Sequence, residues 1–111
     1  MSDPVSLGEI KPTPGTPLTI AENFPAFAHE LINTIYLQVL PGNVGDVYFG
    51  RENLDKTTRL DLIAILRPPT ANHLPDLAFN IPDSMNPFMV SAYRVDVDTL
   101  NDGVRISFIQ R

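Results

Sequence analysis

The chain has 111 residues, 43% of them apolar, with a formal net charge of −5 and a pI near 4.7. That length holds one ordinary domain, and the acidity excludes the basic stripe that nucleic acid or an anionic membrane surface requires. With no cysteine, disulfides and thiolate metal sites are excluded as well.

Residues 1–15 (MSDPVSLGEIKPTPG) predict an extended N-terminal arm. Pro12 and Pro14 favour an open, polyproline-like path, and Val5, Leu7 and Ile10 are its apolar anchors for a neighbouring molecule. The arm has no apolar signal core, and no stretch of the chain reaches bilayer length, so a soluble protein is expected. The remainder, residues 16–111, reads as a single domain cut by proline into pieces of strand length.

TPLTI (16–20) is a short strand, and AENFPAFAHELI (21–32) is a loop with a short turn after Pro25. NTIYLQVL (33–40) alternates Ile35, Leu37 and Val39 against Tyr36, Gln38 and Leu40, which predicts a central strand. Pro41-Gly42-Asn43-Val44-Gly45 has turn chemistry, and DVYFG (46–50) returns as a partner strand in a first hairpin.

RENLDKTT (51–58) is a polar connection. RLDLIAIL (59–66) is a strand or short helix stopped by Pro68-Pro69. LAFNI (77–81) is another short strand. In the last part of the chain, Tyr93, Val95 and Val97 alternate with Arg94, Asp96 and Asp98, and Val104, Ile106 and Phe108 alternate with Arg105 and Ser107. This predicts a second hairpin about Asp102-Gly103, with one buried and one wet face and a positive φ at the glycine. Six to eight strands at this spacing make an all-β fold, a small antiparallel β-sandwich or barrel of jelly-roll-like type.

Chemistry-bearing patterns are weak. His29 and His73 stand in neither HxH nor HExxH spacing. Asp96, Asp98 and Asp102 offer oxygen ligands for Ca²⁺, but their order is not that of a calcium loop, and a solvated strand face explains them. No nucleophile elbow, phosphate loop or dinucleotide fingerprint occurs. A non-enzymatic module without cofactor or metal is expected. Tyr48, Phe49, Tyr93 and Phe108 read as core. Phe24, Phe27 and Phe88 stand beside prolines in less regular stretches and read as interface anchors.

The segment LQVLPGNVGDVYFG (37–50) and the segment YRVDVDTLNDGVRISFIQR (93–111) carry a resemblance. Their order and spacing, from about Thr34 to Ile109, resemble small β-rich structural proteins of tailed phages: capsid decoration (cement) proteins and related head or fibre modules. The resemblance implies a virion protein on the outer capsid surface, with the major capsid protein as partner. It also implies a homotrimer at local three-fold axes, its arm lying on neighbouring subunits. A receptor- or glycan-binding head or tail fibre module is the alternative that the same resemblance leaves open.

Overall fold

A computed structural model describes residues 5–20, 24, 32–80 and 93–110. Every element named among them is a strand: β1 (Val5–Ile10), β2 (Leu18–Thr19), β3 (Ile32–Val39), β4 (Val47–Asp55), β5 (Leu60–Leu66), β6 (Asp76–Asn80), β7 (Arg94–Val97) and β8 (Val104–Gln110). The expectations for 21–23, 25–31 and 81–92, including His29, Phe27 and Phe88, lie outside the described residues. Phe24 is tied back by its N–H, which donates to the Ile20 carbonyl at 3.1 Å.

The strands form two four-stranded antiparallel sheets, ordered β1-β8-β3-β6 and β2-β7-β4-β5. This is a jelly roll: successive strands pass from one sheet to the other, and only β4 and β5 make a hairpin of neighbours. Both hairpins expected from sequence are therefore absent. β3 pairs with β6 and β8 rather than β4, and β7 pairs with β2 and β4 rather than β8. PGNVG and LNDG are corners that carry the chain across the sandwich. Alternation shows which face of a strand is buried, not which strand lies beside it, so a corner and a hairpin look alike in sequence.

The core fills the space between the sheets. Ile35, Leu37 and Val39 of β3 and Val104, Ile106 and Phe108 of β8 meet Val47 and Phe49 of β4 and Tyr93, Val95 and Val97, on or beside β7. Each alternating apolar set faces inward as its period predicts. Phe49 stacks on Tyr93 with ring centres 5.5 Å apart, and Phe79 of β6 meets both edge-on at 5.8 and 5.9 Å. Burial and ring geometry thus tie the two sheets together at one point.

The segment expected as an arm is extended, but part of it belongs to this sandwich. β1 runs along β8, with Val5 opposite Phe108 and Ile10 opposite Val104. Ile10 is 1% exposed and joins the core. The sheet that orders residues 5–10 is the chain's own.

Candidate functional site

The two corners that carried the sequence resemblance are bonded to each other. Asn43, buried in the β3–β4 connection, donates its Nδ2 to the Gly103 carbonyl at 2.8 Å and accepts the Gly103 N–H at 3.0 Å. Asp102, 3% exposed, accepts the N–H groups of Val44 (2.9 Å) and Gly45 (2.7 Å). The exchange satisfies backbone donors that neither corner satisfies alone, and hydrogen bonds to a carboxylate are the stronger kind.

The left-handed residue here is Asn101 (φ 74°), not Gly103 as the turn chemistry suggested. Glycine is needed at 103 for space, because a Cβ would strike the Ile10 carbonyl. At Gly45 it would lie 2.6 Å from Thr99 Oγ1. Strand β1 therefore helps to close the same corner.

The three carboxylates weighed as a calcium site diverge. Asp96, expected on a wet face, is 1% exposed; its Oδ1 accepts the N–H groups of Gly15 (3.0 Å) and Val97 (2.7 Å). Asp98 accepts the Tyr48 hydroxyl at 2.9 Å and pairs with Lys56 at 3.3 Å. Asp102 belongs to the corner. Each is used by a different part of the scaffold, and no group of three potential metal ligands occurs among the described residues. His73 is exposed, in a turn closed by two backbone bonds with Thr70.

The anchors predicted for a partner are scattered. Ile10 and Pro12 are buried and Pro14 half-buried, while Phe24 packs against the core. Ile10 and Pro12 are thus taken up by the domain itself, as the pairing of β1 with β8 requires. The backbone of Val5 and Leu7 lies in β1. Phe27 and Phe88 lie outside the described residues.

A more open surface lies on the outer face of the β1-β8-β3-β6 sheet. One row across it holds Ala78, Tyr36 and Ser107; the next holds Asp76, Gln38, Arg105 and Glu9. Tyr36 is 36% exposed, and its small flanking neighbours leave part of the ring open. Arg105 pairs with Glu9 at 3.4 Å. The side chains of Tyr36, Gln38, Asp76 and Ser107 make no hydrogen bond or ion pair among the described residues. Together they line a shallow hollow of about 420 Å³.

The expectation of a central strand conceals this surface, because Tyr36 and Leu40 make its second face look largely apolar as well. The signal was the set Thr34, Tyr36 and Gln38, opposite Ile35, Leu37 and Val39. A second hollow, about 550 Å³, lies by Leu60, Glu52, Asn53 and Arg94. There the Arg94 Nε is buried without a hydrogen-bond partner.

The sequence matches no protein-family model, and no curated protein is significantly similar to it. The functional reading therefore rests on the chain's own motifs and geometry.

Proposed function

We propose that this chain is a non-enzymatic structural component of a tailed-phage virion. In this reading it binds the outside of an assembled capsid as a homotrimer and stabilises the shell by adding contacts between major capsid protein subunits. The observation that carries the reading is the bonded pair of corners. PGNVG and LNDGV, each a weak motif alone, are one unit held by Asn43, Asp102 and Gly103. Their joint occurrence is therefore a single, more specific signal.

The jelly roll supports the reading by analogy only, since it serves capsid and lectin domains alike. The stiffness of a sandwich tied at its corners suits a part that must resist deformation. Residues 1–4 supply the contact to neighbouring subunits.

The test is co-sedimentation of the purified protein with capsids assembled without it, alongside light scattering of the free protein. A trimer that saturates the particles at fixed stoichiometry is expected, with binding weakened by removal of residues 1–4. That deletion leaves β1 and the buried Ile10 in place. A monomer that stays in the supernatant would overturn the proposal.

A further inference from the structure

We infer that the outer face of the β1-β8-β3-β6 sheet is a binding site for a neutral saccharide, centred on Tyr36. The inference does not rest on the capsid reading, because a decorating domain and a fibre module could each carry such a site.

The first support is the ring itself. An exposed aromatic on the sheet face, flanked by Ala78 and Ser107, offers one face for the C–H groups of a sugar. Residues along one face of a strand recur roughly every 7 Å, so a hexose stacked on Tyr36 would bring its hydroxyls to the row of Asp76, Gln38 and Arg105. Sugar hydroxyls both donate and accept. The row answers with an acceptor at Asp76, both functions at Gln38 and donors at Arg105. Gln38 and Asp76 are not committed to other side chains among the described residues.

Size and charge select the ligand class. Two rows across the four strands cover roughly 14 Å by 7 Å of sheet, far short of the ~800 Å² per partner that a specific protein interface needs. The hollow of about 420 Å³ is within the usual range for small-molecule sites. Two carboxylates, Asp76 and Glu9, stand against one guanidinium, Arg105, which disfavours an anionic sugar. β3 and β8, which carry Tyr36, Gln38, Arg105 and Ser107, are bonded on both sides, so the centre of the face offers no free edge to a peptide strand; β6, at the end of the sheet, adds Asp76 and Ala78 as side chains. Side chains must do the reading.

The chain has three tyrosines and no tryptophan, and Tyr48 and Tyr93 are buried. All three tyrosines emit, but a change in emission on binding at this face reports on Tyr36, and its loss in Tyr36→Phe assigns it. The full chain would be titrated with glucose, galactose, mannose, N-acetylglucosamine and neutral gluco-, manno- and galacto-oligosaccharides up to high millimolar concentration, followed by emission and amide NMR shifts. Saturable binding of at least one probe is expected, with shifts confined to β3, β6 and β8.

Tyr36→Ala should weaken binding at least about tenfold, while Tyr36→Phe retains most of it. Asp76→Asn and Gln38→Ala should each weaken it several-fold, with the melting temperature of every variant unchanged. No saturable binding of any probe, shifts that map to the hollow beside Arg94, or binding that survives Tyr36→Ala would overturn the inference.

Discussion

Tyr36 and Tyr48 occupy equivalent positions, each pointing outward from an internal strand of its sheet, yet they meet opposite fates. Tyr48 is 5% exposed. Its hydroxyl donates to Asp98 at 2.9 Å, and the Arg59 guanidinium sits 5.3 Å from its ring centre. Lys56 closes the cluster through the Val97 carbonyl at 2.6 Å and the Asp98 carboxylate. Tyr36 has no such cover.

The difference comes from the β4–β5 hairpin. Its register shifts between Gly50 and Asp55, and its turn brings Lys56 and Arg59 back over the sheet. One outer face is spent on the stability of the fold; the other remains available.

Four substitutions would sharpen or break that contrast. The largest effect is expected for Tyr48→Ala, which should destabilise by about 3 kcal/mol or more, because it removes a buried ring together with its hydrogen bond to Asp98. Chemical denaturation checks this; a loss near zero would mean that Tyr48 is as peripheral as Tyr36.

Next is Tyr48→Phe, at about 1 kcal/mol for the hydroxyl bond. The same bond sets a pH dependence. Burial, together with the bond to Asp98, holds the Tyr48 hydroxyl above the ordinary 10.0, and burial does the same for Tyr93. The folded state therefore keeps these protons longer than the unfolded chain. The stability they lend is complete below pH 10.0 and is lost as pH rises through the raised folded values. Alkaline unfolding followed by phenolate absorbance should show Tyr48→Phe with a shallower stability loss above that point than the parent.

Arg59→Ala should cost only about 0.5–1 kcal/mol, since the guanidinium covers the ring from an exposed position. Tyr36→Ala should change stability by no more than about 0.5 kcal/mol. A large loss there would show that the open face is packed against something and would end the contrast.

Much of this was legible in the sequence. Period-two alternation found β3, β7 and β8 and assigned their core residues, because burial on one face leaves that mark. Proline and glycine placed most of the boundaries. Pairing was not legible. Asp102-Gly103 has hairpin chemistry, yet it serves as a corner, because Gly103 is chosen for the approach of Ile10 rather than for its φ. Asp96 has the sequence context of a wet residue, but Gly15, 81 positions away, supplies its hydrogen bond. Tyr36 gave no sign of being exposed, since only tertiary structure decides which outer face is covered.

The place of β8 between β1 and β3 bears on how the chain is made. A ribosome completes β1 and β3 long before the strand that joins them, and Asn43 must wait for Gly103, 60 residues later, to close the corner. Until residue 110 is released, both strands present raw edges to other nascent chains. Closure of the sandwich should therefore wait for β8 to emerge, and be slow in the manner of high-contact-order sandwiches. Stalled chains ending at Leu100 should remain protease-sensitive and aggregate where the full chain does not.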